Sequence, residues 1–286
     1  MQMISKLMIY LRLARLDKPV GIYLLLWPSL MGLMLGALNE GYIDFENYLI
    51  VLAGAILVRS CGCVINDISD YKFDKLVSRT KDRPIAKGEV SLKGAWIFFF
   101  ILASFCLSLL MFVPKITVQI SLFIAIFILI YPLTKRFLKA PQFFLGITFG
   151  SGTLISYSLV STNFTLSILL LFIGTVLWII SFDTIYALED IEDDKLIGIN
   201  STPILWGDKA IIISKILHLL FYFSLLLIFF INQFSPLFLA ILLLLFCIYF
   251  YQNSLVNQGK YLKSFKMNNW VGMIASIGFV IEIFLI

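Results

Sequence analysis

Two short acidic stretches hold most of this chain's capacity for chemistry. NDISDYKFDK covers residues 66–75 and EDIEDDKLIG covers residues 189–198. With their flanks, 66–85 and 189–204, they contain nine of the 17 acidic residues. Asp70-Tyr-Lys-Phe-Asp74-Lys-Leu-Val can be laid over Asp190-Ile-Glu-Asp-Asp194-Lys-Leu-Ile, and both flanks end in Pro-Ile. On a helix, positions i and i+4 share a face. Asp70 therefore projects with Asp74, Asp190 with Asp194, and Asn66 extends the first stripe. Like charges at that spacing repel, and a divalent cation between the stripes removes the cost. Carboxylates with a carboxamide make an oxygen-only donor set, which suits Mg2+ rather than Zn2+. Mg2+ is usually held by a few carboxylates together with substrate phosphates. Lys75, Arg79, Lys81 and Arg83 follow directly and can meet phosphate oxygens.

A single D-x-x-x-D is a weak signal, because charged loop residues are usually solvated. Two copies in equivalent places, in a chain that is only 14% charged, favour a metal–diphosphate site. Asp183 admits two readings: an intramembrane functional carboxylate, or a hydrogen-bonded helix contact with Thr184 or Tyr186. Cys61-Gly62-Cys63 lacks a second ligand pair and reads as packing, as does His218, the one histidine.

Elements that must carry these motifs follow from hydropathy. The chain is 60% hydrophobic with a mean hydropathy of +0.98, and about 20 apolar residues cross a bilayer as a helix. Nine spans are expected: 20–38, 46–65, 95–113, 116–134, 142–162, 165–187, 211–231, 235–252 and 269–286. The runs are continuous rather than alternating, which points to helices and not a β-barrel. No cleavable leader is expected at the start. Twenty of the 22 basic residues fall in the N-terminal tail and alternate loops, including Lys135, Arg136 and Lys139. The positive-inside rule then places the N-terminus and both acidic motifs in the cytoplasm and the C-terminus on the far side. The net charge of +5 is accounted for by this topology and calls for no nucleic-acid partner. One domain, residues 1–286, is expected.

Four segments resemble a known family: RLDKPVGIYLLLWP (15–28), GCVINDISDYKFDKLVSRTKDRPIAKGEVS (62–91), YPLTKRFLKAPQ (131–142) and SFDTIYALEDIEDDKLIGINSTPILWG (181–207). They are similar to the membrane prenyltransferases of the UbiA superfamily, and within it to the 4-hydroxybenzoate branch. That resemblance implies an all-α bundle of nine transmembrane helices around a central cavity, capped by the two Asp-rich motifs. It implies Mg2+ held by Asn66, Asp70, Asp74, Asp190 and Asp194, with the donor's diphosphate met by Lys75, Arg79, Arg83 and Lys135. Arg136 matches an arginine that receives the aromatic carboxylate or the diphosphate, and Asp190 is a candidate base for the ring proton. The implied substrates are a polyprenyl diphosphate and 4-hydroxybenzoate, in ubiquinone biosynthesis in a bacterial inner membrane, with lipid as surroundings and no obligate protein partner. Other acceptors (homogentisate, dihydroxynaphthoate, haem, a glycerol phosphate) stay open. A secondary transporter would carry its acids at the midplane rather than at a mouth. An alcohol phosphotransferase would carry a compact D-G-x-x-A-R motif, which this sequence lacks.

Overall fold

A backbone in lipid must satisfy its own hydrogen bonds, and every regular element among the described residues is helical. The computed structural model describes residues 2–42, 44–134 and 136–285, with side chains from Lys6 onward. In chain order the helices are α1 (Gln2–Leu13), α2 (Val20–Glu40), α3 (Phe45–Asp74), α4 (Leu92–Leu109), α5 (Lys115–Thr134), α6 (Pro141–Gly150), α7 (Gly152–Tyr157), α8 (Leu166–Ala187), α9 (Ile191–Ile197), α10 (Thr202–Trp206), α11 (Ala210–Asn232), α12 (Pro236–Asn257) and α13 (Tyr261–Leu285).

Among the described residues, eight helical segments are long and apolar enough to cross a bilayer, against nine expected. The difference lies at the fifth expected span, 142–162. It forms α6, of 10 residues, and α7, of 6 residues, which meet at Ser151. The Thr148, Ser151 and Thr153 hydroxyls there each donate to the carbonyl three residues back, at 2.9, 2.8 and 2.8 Å. Such back-bonding competes with the helical ladder and bends it. By contrast, Pro28 and Pro132 lie inside α2 and α5 without ending either helix.

Helix α8 packs on α11, α6 and α13, while α2 packs on α7, α13 and α3. Helices α4 and α5 stand at the edge and turn Phe100, Phe105 and Phe123 outward. Close approach rests on small residues: a Cβ on Gly32 of α2 would lie 2.1 Å from the Thr153 carbonyl oxygen of α7. Trp178 of α8 is fully buried, stacks on Phe221 at 5.0 Å and donates its Nε1–H to Asn268 Oδ1 of α13 at 2.8 Å. His218 is buried against Tyr222 and Tyr249, at 4.8 and 5.5 Å between ring centres, which is a packing role. A second apolar cluster joins Leu13, Val64, Ile68, Ile85 and Phe99. It seats α1 and the 75–91 segment on α3 and α4, at the end of the bundle that carries the acidic motifs.

Candidate active site

The first motif is helix, not loop. Hydropathy ends the second span at residue 65, but α3 runs on to Asp74. A helix needs apolar residues only where it meets lipid, and its last turns stand clear of that requirement. Asn66, Asp70 and Asp74 therefore fall on one stripe, and all three line a single cavity of about 840 Å3. Past the end of α3 the chain folds back. The Thr80 hydroxyl donates to the Asp74 carbonyl at 3.0 Å, and Arg83 Nη1 reaches both Asp74 carboxylate oxygens at 3.0 and 2.9 Å. A cation at a helix C-terminus also complements the helix dipole.

The second motif starts where α8 gives way to a 3-10 turn, Leu188–Asp190, and then to α9. Gly198 ends α9 at φ +71°, with its N–H on the Asp194 carbonyl, a conformation that costs glycine little. Asp190 and Asp194 line the same cavity as the first motif. The two motifs touch directly. Arg79 Nε donates to both Asp190 oxygens at 2.8 and 3.0 Å, Arg79 Nη1 donates to the Tyr186 hydroxyl at 2.5 Å, and the Ser78 N–H donates to Asp193 at 3.1 Å.

Charge at the rim is balanced by guanidinium groups. Asp67, 1% exposed, takes Arg15 Nη2 on both oxygens at 2.9 and 2.8 Å and lies 3.1 Å from Arg83 Nη1. Burial disfavours the charge on Arg79 and Arg83, but neighbouring groups outweigh it. The hydrogen bond to Asp190, with Tyr186 and Asp74, raises the Arg79 pKa, and Asp67 with Asp74 raises that of Arg83. Both stay protonated.

The expected site residues do not all converge. Arg79 and Arg83 line the cavity; Lys75 and Arg136 are not in its wall. Lys75 caps α3 one residue past the stripe and is exposed. Arg136 lies over the Phe73 ring at 5.3 Å, donates to the Ser69 carbonyl at 2.8 Å and stands 3.9 Å from Asp70. Lys135 lies outside the described residues. Asp183 lines the cavity.

Deeper in, the cavity wall is formed by Leu25, Ile128, Tyr131, Leu145, Phe149 and Phe182. Arg59 joins them, two turns and about 10 Å along α3 before Asn66. Its guanidinium carbon sits 5.2 Å from the Phe149 ring centre, and its buried Nε has no hydrogen-bond partner. The spacing of the acids did not reveal Arg59 or Arg15. A charge in mid-span was the available signal for Arg59, since such residues are functional by default.

The donor set fits a hard cation: Asn66, Asp70, Asp74, Asp190 and Asp194 offer oxygen alone and share one cavity. Among the described residues no three His, Cys, Asp or Glu side chains form a ready-made cage. Mg2+ needs none, because phosphate and water complete its shell. Negative and positive groups at the mouth, with an aromatic interior that includes the Arg59 guanidinium, can hold a long apolar diphosphate and a small anionic ring together.

A family model described as the UbiA prenyltransferase family matches residues 25–276. A 4-hydroxybenzoate octaprenyltransferase from Vesicomyosocius okutanii is 37% identical over 272 residues, 94% of this chain and 99% of that protein. One from Shewanella loihica is 41% identical, covering 74% of each chain. Among solved structures, the apo UbiA homolog from Aeropyrum pernix matches with a TM-score of 0.78 at 25% identity, over 90% of this chain and 97% of that one. A UbiA homolog from Archaeoglobus fulgidus bound to GPP and Mg2+ matches with a TM-score of 0.72 at 17% identity, over 95% and 99%, a likeness of fold.

Proposed function

The chain belongs to the UbiA prenyltransferase family, and we propose that it joins a polyprenyl group to 4-hydroxybenzoate. The polyprenyl diphosphate loses its diphosphate, and the new bond forms at the ring carbon ortho to the hydroxyl. The product, 3-polyprenyl-4-hydroxybenzoate, belongs to ubiquinone biosynthesis. The observation that carries this reading is that both acidic motifs and Arg59 line one cavity, the acids at its mouth and the arginine deep within. The relatives named as 4-hydroxybenzoate octaprenyltransferases supply the acceptor.

Asn66, Asp70, Asp74, Asp190 and Asp194 would hold Mg2+. When bound, the ion neutralises the diphosphate and makes it a better leaving group. Arg79 and Arg83 supply charge-assisted hydrogen bonds to the phosphate oxygens. Tyr131 and Phe182 line the cavity and would stabilise the allylic cation left behind through cation–π contact, and the apolar wall keeps water from it. The Arg59 guanidinium pairs with the acceptor carboxylate, a role that fits its orphaned Nε better than it fits the exposed Arg136. The ring carbon attacks the cation and then gives up its proton. Asp190, paired with Arg79 and assigned to the cation, is a weak base, which favours the released diphosphate as the acceptor of that proton.

The protein is integral to the membrane. In this reading α6 and α7 together make a fifth crossing, giving nine in one domain over residues 1–286. The acidic motifs then face the cytoplasm of a bacterial inner membrane. Acceptor profiling tests the branch: with geranyl diphosphate and Mg2+, 4-hydroxybenzoate should be prenylated faster than homogentisate or dihydroxynaphthoate. Preference for either of the others would reassign the acceptor.

A further inference from the structure

Asp67 follows Asn66 by one residue and so lies about 100° around α3 from the Asn66–Asp70–Asp74 stripe. It nevertheless lines the cavity, is 1% exposed, and holds two arginines from separate parts of the chain. Arg15, between α1 and α2, bonds both of its oxygens. Arg83 Nη1 is shared between Asp67, at 3.1 Å, and Asp74, at 2.9 Å. Arg15 also has a backbone φ of +59°, a region that L residues seldom enter, and its Nη1 donates to the Arg12 carbonyl at 2.9 Å. The backbone there is held out of its preferred range while the side chain is fixed at both ends of its guanidinium.

We infer that Asp67 is a positioning residue that tethers Arg15 and Arg83 at the cavity mouth so that both guanidiniums face the donor's diphosphate. The inference rests on the reading that Asp74 serves the cation and that the cavity takes a diphosphate. Arg83 shares its Nη1 between two acids. When Asp74 turns to a cation, Asp67 alone keeps that nitrogen in place. One carboxylate against two guanidiniums leaves a net positive charge, which is what an incoming diphosphate requires. Long arginine side chains otherwise lose rotamer freedom on binding, and ordering them beforehand improves affinity. Asp67 thus differs from its neighbours in the motif: it organises cations and does not ligate the metal.

The test is binding of inorganic pyrophosphate with Mg2+ to the full-length chain in detergent, by calorimetry, alongside steady-state kinetics and melting temperature. Asp67→Asn preserves shape and removes the charge. Pyrophosphate affinity should fall about tenfold, the worth of a lost charge-assisted contact. KM for geranyl diphosphate should rise with it, while KM for 4-hydroxybenzoate stays put, and Asp67→Glu should recover part of the loss. Wild-type pyrophosphate affinity in Asp67→Asn would overturn the inference. So would a loss confined to Mg2+ affinity, because Asp67 would then be a ligand. If Asp67→Asn fails to fold, Arg15→Gln is read in the same assay: weaker pyrophosphate binding supports the tether, and unchanged binding refutes it. Asp74→Ala in parallel tests the underlying reading, since pyrophosphate binding that no longer depends on Mg2+ is expected there whatever Asp67 does.

Discussion

Arg79 and Asp190 stand 111 residues apart in the chain and form a two-pronged ion pair, Nε to Oδ1 at 2.8 Å and Nη2 to Oδ2 at 2.5 Å. That pair joins the two acidic motifs into one rim. With the Ser78 N–H on Asp193 at 3.1 Å, it ties the segment after the first motif to the second.

The pair is partly exposed, so its share of stability is small, about 1 kcal/mol or less. Arg79→Ala should leave the melting temperature within a few degrees of wild type. It should nevertheless lower kcat/KM for geranyl diphosphate at least about tenfold through the lost phosphate contact. Arg79→Lys should not restore activity, because an ammonium cannot reproduce the fork. Steady-state kinetics with melting curves would check both.

Asp70 and Asp194 line one cavity, one from each motif. Asp70→Ala and Asp194→Ala should each cut kcat by about a hundredfold or more, as loss of a metal-holding group does. Raising Mg2+ should recover part of that loss. Full activity in either variant would remove that residue from the metal site.

Arg59 and Gly21 make a linked prediction. Arg59→Gln should raise KM for 4-hydroxybenzoate about tenfold or more, with KM for the prenyl donor little changed, as expected for a lost ion pair to one substrate. A Cβ on Gly21 would lie 2.6 Å from the Arg59 Nε. Gly21→Ala should therefore push the guanidinium aside and raise the same KM, leaving the fold intact because only the tip of a flexible side chain must move.

Gly32 should behave in the opposite way. Its added Cβ would meet the Thr153 backbone carbonyl at 2.1 Å, and backbone cannot step aside. Gly32→Ala should separate α2 from α7 and cost about 1–3 kcal/mol, the range for overpacking. The drop should appear as a lower melting temperature in detergent, with both KM values changed little in the protein that remains folded.

Much of this architecture can be read from the chain because lipid imposes simple rules. Continuous apolar runs located the helices, and the fifth span departed from expectation at Ser151, where α6 and α7 meet amid three closely spaced back-bonding hydroxyls. Hydropathy also stopped α3 nine residues short of Asp74, since a helix may continue past the lipid with polar residues. The paired spacing singled out Asp70, Asp74, Asp190 and Asp194, and the fold brings all four to one cavity; the i,i+4 geometry is helical for Asp70 and Asp74, whereas Asp190 closes a 3-10 turn ahead of α9. Contacts across the bundle left no such trace. Nothing in the sequence says that Arg79 crosses to Asp190, that Arg15 turns in to Asp67, or that Arg136 lies over Phe73 outside the cavity. The direction of a long basic side chain depends on tertiary packing, so a cluster of basic residues marks a rim without saying which of them face inward.

The proposed activity is Mg2+-dependent prenylation of 4-hydroxybenzoate. Membranes carrying the chain, stripped with EDTA, are given 4-hydroxybenzoate and geranyl diphosphate with and without added Mg2+, and the products are identified by mass spectrometry. Geranylated 4-hydroxybenzoate that forms with Mg2+, and falls to the vector control without it, is the expected result. No geranylated acid above that control, or equal yields in EDTA, would contradict it.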